Sequence, residues 1–258
     1  MLTHSAATPA HDILPFLARF GWPPRGADLP FCIAHRGASG HLTENTLAAF
    51  ALAADLGAQM WELDTQLTRD GVVVVSHDDN LERVFGVDRR ISELTAAELA
   101  ALDLPVPTFA KVAELARSLH CGLYVELKAP GTGRPAWDEL RRHGQRFACL
   151  GSFDVAQLRE LRDAGCDYPL SVLVGAGADP FALGDAAGAE IVHLCWERVG
   201  ERPQDLVTEE LVARAFGEGR KIVLWHEERP AILAELTSLP VLGICTNLPE
   251  LMRRNNAA

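Results

Sequence analysis

Residues 59–78 read Gln-Met-Trp-Glu-Leu-Asp-Thr-Gln-Leu-Thr-Arg-Asp-Gly-Val-Val-Val-Val-Ser-His-Asp, and two structural signals lie inside them. The first is Gln59–Asp64, where Glu62 and Asp64 alternate with Trp61 and Leu63. On a strand both acids share one face, about 7 Å apart along the backbone. The second is Asp70-Gly71, a turn dipeptide that tolerates positive φ at both positions. It predicts a two-residue β-hairpin across Thr65–Ser76, in a register that sets His77 opposite Asp64.

Outward from this stretch, short apolar runs alternate with Ala- and Leu-rich segments of helical period. The predicted strands are Phe31–His35, Gln59–Asp64, Gly122–Leu127, Phe147–Ser152, Leu170–Val174, Glu190–Cys195, Lys221–Trp225 and Leu242–Thr246. Eight strands that each lead toward a helix predict a single closed (β/α)8 barrel of the TIM type. A doubly wound open sheet is disfavoured, since no GxGxxG follows any strand. The barrel domain is expected over residues 31–258, with the hairpin and a small polar insertion at about 79–107 after the second strand. Thr43 is the expected N-cap of a helix Glu44–Leu56 stopped by Gly57, and Ser92–Thr95 the expected cap of a short helix Ala96–Leu102. Residues 1–30, with Trp22, Pro23, Pro24 and Arg25, form an N-terminal extension that could supply an interface.

The length of 258 residues suits one such barrel, and 48% hydrophobic with 23% charged residues describes an ordinary folded core. A formal charge of −11, with no basic block, argues against nucleic acid as a partner. No apolar run is long enough to span a bilayer, and no export leader is evident. Six cysteines without CxxC spacing suggest free buried thiols in a reducing cytoplasm.

Glu62 and Asp64 at the catalytic end of a barrel strand would repel each other and lose hydration, so a divalent cation is their natural partner. Glu126, in Tyr124–Lys128, adds a third oxygen ligand, and Lys128 a cation for a phosphate oxygen. Carboxylates alone suit hard ions, Mg2+ or Ca2+, better than Zn2+. His35-Arg36-Gly37 ends the first strand with an imidazole, a bidentate guanidinium and a residue allowing close backbone approach. With His77 the set suits a phosphodiester hydrolase: one base, one acid and a charge-neutralising metal.

The runs His35-Arg36-Gly37, Glu44–Phe50, Gly57-Ala58, Glu62-Leu63-Asp64, Leu67–Gly71, Val75–Asp78, Val106–Phe109 and Val125–Lys128 together resemble the glycerophosphodiester phosphodiesterase family, in order and spacing. The resemblance implies a TIM barrel in which Glu62, Asp64 and Glu126 bind the divalent ion, His35 and His77 act as general acid and base, and Arg36 and Lys128 hold the phosphate. Glu44 and Asn45 match the family's Pro-Glu-Asn-Thr element, with Thr43 in place of proline, and would support the first loop. The implied reaction converts a small-molecule glycerophosphodiester to glycerol phosphate and an alcohol, by a cyclic phosphate or by direct attack of water. A lyase that stops at the cyclic phosphate, or a non-catalytic phosphodiester-binding barrel, are the alternatives.

The second half departs from the family's pattern at two places. Trp225-His226-Glu227-Glu228 stands where Trp-Thr-Val-Asn is usual, and Thr246-Asn247-Leu248-Pro249 where Thr-Asp-x-Pro is usual. Trp225 would form an apolar wall beside the glyceryl group, while His226, Glu227 and Glu228 could alter recognition of the alcohol. Glu197 is a further strand-end acid.

Overall fold

Apolar strands that are buried on both faces pair in parallel, and the chain supplies them at regular intervals. In the computed structural model of the chain, residues 10–23, 29–195 and 200–253 are described, with side chains from residue 13 onward. The strands are β1 (Phe31–His35), β2 (Met60–Leu67), β3 (Val73–Val75), β4 (Gly122–Leu127), β5 (Ala148–Ser152), β6 (Leu170–Gly175), β7 (Ile191–Cys195), β8 (Lys221–Trp225) and β9 (Gly243–Thr246). They pair in the order β1-β9-β8-β7-β6-β5-β4-β2-β3, and β1 also pairs with β2. The second pairing of β1 closes the ring, and all strands but the antiparallel β3 run parallel. This is the expected TIM barrel. Helices α1 (Ala10–Phe20), α2 (Leu47–Asp55), α3 (Glu82–Phe85), α4 (Ala96–Ala100), α5 (Phe109–Ser118) and α6 (Gly133–Arg142) belong to the first half. α7 (Val155–Asp163), α8 (Pro180–Ala187), α9 (Glu209–Gly217) and α10 (Pro230–Leu236) complete the outer layer. Among the described helices none is long and apolar enough to cross a membrane.

The hairpin is present, but its turn differs from the expected one. Thr65 pairs with Val75 and Leu67 with Val73, while the Thr68 N–H bonds the Val72 carbonyl at 3.0 Å. Three residues, Arg69 to Gly71, therefore form the loop. Only Gly71 has positive φ, at 80°; Asp70 does not share it, so the two-residue turn that needs both is excluded. The register moves by one, and Asp64 faces Ser76, whose N–H bonds the Asp64 carbonyl at 3.0 Å, with His77 one residue beyond.

The first helix also starts later than the sequence suggested. α2 begins at Leu47 with Thr46 as its N-cap, the hydroxyl accepting from the Ala49 N–H. Thr43 is not the cap, because Glu44 and Asn45 are drawn into the barrel mouth, as described below. In the insertion, Thr95 and Glu98 form a reciprocal capping box on α4, and Val74, Leu81, Ile91, Leu94 and Leu99 make a small core of their own.

The N-terminal extension has a structural role that the sequence did not disclose. Ile13, Phe16, Leu17 and Phe20 of α1, together with Trp22, are buried against Phe31, Ile33, Met60, Tyr124 and Phe147, the inward-facing residues of the barrel floor. The Trp22 ring lies 5.5 Å from Phe16, 5.1 Å from Phe147 and 6.0 Å from Phe31, in edge-on contacts that suit aromatic quadrupoles. This apolar face is spent on the chain's own barrel rather than offered as an interface. Pro24, Arg25 and Glu197 lie outside the described residues.

Truncating the plug should open a cavity at the floor without touching the mouth. Trp22→Ala is expected to cost about 3–5 kcal/mol of unfolding free energy in urea titrations. A loss under about 1 kcal/mol would show that α1 is not part of the cooperative core.

Candidate active site

β2 and β4 run side by side with Asp64 beside Glu126 and Glu62 beside Tyr124, so alternation turns all three acids into the barrel. One oxygen from each of Glu62, Asp64 and Glu126 lies within 4.8 Å of the other two, and all three residues are buried. Arg36 and Lys128 are the cations beside them. Arg36 Nε is 3.2 Å from Asp64 Oδ2, and Lys128 Nζ is 2.9 Å from Glu126 Oε1. Two cations offset two of three negative charges. Asp64 Oδ1, buried and 3.6 Å from Lys128 Nζ, has no hydrogen-bond partner among the described residues. An unsatisfied carboxylate oxygen in an all-oxygen cluster fits a hard divalent cation.

Electrostatics agree with that fit. Burial, then Asp64 and Glu126, push the Glu62 carboxyl well above the usual range. Burial and Asp64 push Glu126 up to about 7 against the pull of Lys128. Without a cation the cluster relieves its repulsion by holding protons.

His35 ends β1 directly beside Glu62. Its Nδ1 lies 2.7 Å from Asn247 Oδ1, and its Nε2 is 3.9 Å from Glu62 Oε2 without a hydrogen bond. Because an amide oxygen only accepts, Nδ1 carries the proton and Nε2 presents a lone pair. Burial, then Arg36 and His226, hold the His35 imidazole well below its usual range, so it is neutral. Gly37 follows at φ 81°, where a Cβ would stand 2.8 Å from the Ala49 carbonyl carbon, so only glycine lets α2 approach.

Glu44 and Asn45 knit this loop to the acids. Asn45 donates from Nδ2 to Asp64 Oδ2 at 2.8 Å, and Glu44 accepts from Arg36 at 3.0 Å and Arg83 at 2.6 Å. Arg83 continues to Asp78, whose carboxylate accepts from His77 Nδ1 at 2.6 Å. Burial pushes Asp78 up, but the bonds from Arg83 and His77 outweigh it and hold its carboxyl below the usual range. His77 is less enclosed than His35, with 28% of its side chain exposed.

At the other side of the mouth, half-buried Trp225 places its ring 5.3 Å from His35 and 6.2 Å from Phe153. His226 stacks on His35, while Glu227 turns away to receive the Arg229 N–H at 2.8 Å and the Arg229 guanidinium at the start of α10. The sequence pointed to neither Asn247 nor His226 as a partner of His35. Asn247 had one signal available: a polar residue just past the last strand meets the first strand once the ring closes, and Ala34 does pair with Thr246.

With this geometry in view, comparison with known proteins is specific. A sequence model described as the glycerophosphoryl diester phosphodiesterase family matches residues 35–251. The Bacillus subtilis protein YhdW, named as a candidate glycerophosphodiester phosphodiesterase, is 49% identical over 240 residues, 85% of this chain and 95% of that protein. A Thermotoga maritima glycerophosphodiester phosphodiesterase structure superposes with a TM-score of 0.69 at 29% identity, covering 86% of this chain and 96% of that one. An Oleispira antarctica phosphodiesterase, solved with its product sn-glycerol-3-phosphate, shares the fold with a TM-score of 0.73 at 23% identity, covering 87% and 95% of the two chains.

The proton held by Glu126 sets an expectation for cation binding. Between its ordinary value of 4.5 and about 7 the folded chain binds more protons than the unfolded one, so this carboxyl lowers cation-free stability as pH rises through that window. A divalent ion removes that cost where the carboxyl is ionised. The rise in Tm on replacing EDTA by excess Mg2+ or Ca2+ should therefore be larger at pH 8 than at pH 5.5, and an equal rise at both would contradict the assignment.

Proposed function

Because the chain belongs to the glycerophosphoryl diester phosphodiesterase family, we propose that it hydrolyses glycerophosphodiesters to glycerol phosphate and an alcohol with Mg2+ or Ca2+, using His35 and His77 for proton transfer. The observation that carries this reading is the buried triad Glu62, Asp64 and Glu126 beside the unpartnered Nε2 of His35. The three carboxylates would hold the cation, which when bound supplies positive charge for the phosphoryl oxygens.

The chain's own residues do the rest. Arg36 and Lys128 meet the remaining phosphate oxygens, the guanidinium preset by Glu44 and Asp64. His35 Nε2, unprotonated because Nδ1–H is committed to Asn247, takes the proton from the attacking hydroxyl. His77 acts as the acid in its imidazolium form, with Nδ1–H held by the Asp78 carboxylate, and gives its Nε2 proton to the leaving alkoxide, returning to the neutral imidazole. Trp225 walls the organic part of the substrate and excludes water beside His35. A net charge of −11 supports a small-molecule substrate rather than nucleic acid, and six cysteines, five of them buried, without CxxC spacing support a cytoplasmic location.

The test is release of glycerol phosphate from glycerophosphocholine or glycerophosphoethanolamine, abolished by EDTA and restored by divalent ions. His35→Ala and His77→Ala should each lower kcat by about 10²–10⁴-fold. Full activity in both variants would sink the proton-transfer assignment.

A further inference from the structure

Three residues at the mouth, Asn247, Glu228 and His226, close a ring of contacts with His35. His35 Nδ1–H donates to Asn247 Oδ1 at 2.7 Å, and the Asn247 backbone N–H donates to Glu228 Oε1 at 3.1 Å. The same Glu228 oxygen accepts from His226 Nδ1–H at 2.8 Å. The His226 ring then stacks on His35, with centroids 4.8 Å apart and planes 16° from parallel. Ser39 Oγ, 2.8 Å from Asn247 Oδ1 and 2.7 Å from the His35 carbonyl oxygen, ties the amide back to β1.

Each contact removes a different freedom of the imidazole. Asn247 selects the tautomer and fixes the ring's edge; a flat partner on its face blocks rotation about the Cβ–Cγ bond. Glu228 reaches both restraints through one oxygen, so it couples the edge contact to the face contact. Exposure rises along this side: the His35 side chain is 7% exposed, His226 18% and Glu228 30%, so the coupling acid is more open to solvent than either imidazole.

We propose that His226 and Glu228 form a positioning clamp for His35, holding its imidazole so that Nε2 faces the acid triad. Neither residue needs to touch the reacting atoms. The clamp rests on the reading of His35 as a proton-transfer group, and its value is geometric, since a misplacement of about 1 Å costs on the order of a hundredfold in rate. The residues that build it follow β8 and meet Asn247 after β9, so the clamp is supplied by the second half of the chain.

The experiment combines steady-state kinetics with the long-range proton–nitrogen NMR spectrum of the full chain carrying nitrogen-labelled histidine. Wild type should show His35 as a single Nδ1–H tautomer. In His226→Ala and Glu228→Ala that signal should become a mixture, and kcat should fall on the order of ten- to a hundredfold while KM stays within about threefold. His226→Phe, which keeps the flat face, and Glu228→Gln, which keeps the acceptor oxygen, should each recover most of the loss. The clamp is overturned if both alanine variants keep the single tautomer and kcat within about twofold, if the loss falls on KM, or if Phe and Gln are as damaging as Ala. The tautomer is read without substrate. A wild-type chain with no turnover would refute the proposed function while the His35 signal still decides the clamp.

Discussion

Three buried carboxylates crowded within 4.8 Å of one another are the constraint around which the mouth is organised. Such a cluster folds only if charge and hydrogen bonds are brought to it, and the chain accepts local strain to do so. Arg36 and Asn45 both sit at left-handed φ, 57° and 58°, a conformation that costs an ordinary residue about 1–2 kcal/mol. The strain turns the Arg36 N–H to Glu62 at 3.0 Å and the Asn45 amide to Asp64. The delayed start of α2 follows from the same demand, because residues bonded to the acids are not free to enter a helix.

Ring closure is the second condition. β1 lies between β2 and β9, so His35 stands between Glu62 on one side and Asn247 on the other, although the two flanking residues are 185 positions apart in sequence. Below the mouth, Tyr124 donates to Ser171 at 2.6 Å and lies 2.8 Å from His193, whose burial holds it neutral with a pKa of about 3. This satisfied but uncharged layer separates the ionised mouth from the apolar floor sealed by α1. The order from floor to mouth is thus apolar, neutral polar, charged, which keeps the unpaired charge where a cation and substrate can reach it.

Legibility in the sequence divides along physical lines. The strands were readable because parallel strands buried on both faces leave unbroken apolar runs, and the acids were readable because Glu62, Asp64 and Glu126 interrupt those runs. The hairpin was readable as an element but not in register, since Asp70-Gly71 is compatible with a two- or a three-residue loop and only the φ of Asp70 separates them. Thr43 and Thr46 are equally good caps in isolation; what chooses between them is Asp64, nineteen positions from Asn45. The α1 plug and the contacts of Asn247, Glu228 and His226 to one another across strand ends depend on closure of the barrel, which no local pattern encodes.

The mouth is chemically lopsided, and the asymmetry bears on where the two parts of a substrate would lie. Charged groups concentrate on the loops and strand ends of β1, β2 and β4, where Arg36, Lys128 and the triad stand. Aromatic surface concentrates opposite, where Phe153 after β5 is 47% exposed and Trp225 ends β8. A phosphodiester held by the charged half would lay its organic groups across the aromatic half, with His35 at the seam, in contact with Glu62 on one side and ringed by Trp225 and His226 on the other. Departures from the family's pattern at His226, Glu228 and Asn247 fall on the seam and the aromatic half, while in the charged half the triad, Arg36 and Lys128 match it and Thr43 replaces its proline. A change of preference for the alcohol would then fall on the aromatic half and on the orientation of the His35 imidazole rather than on the three carboxylates.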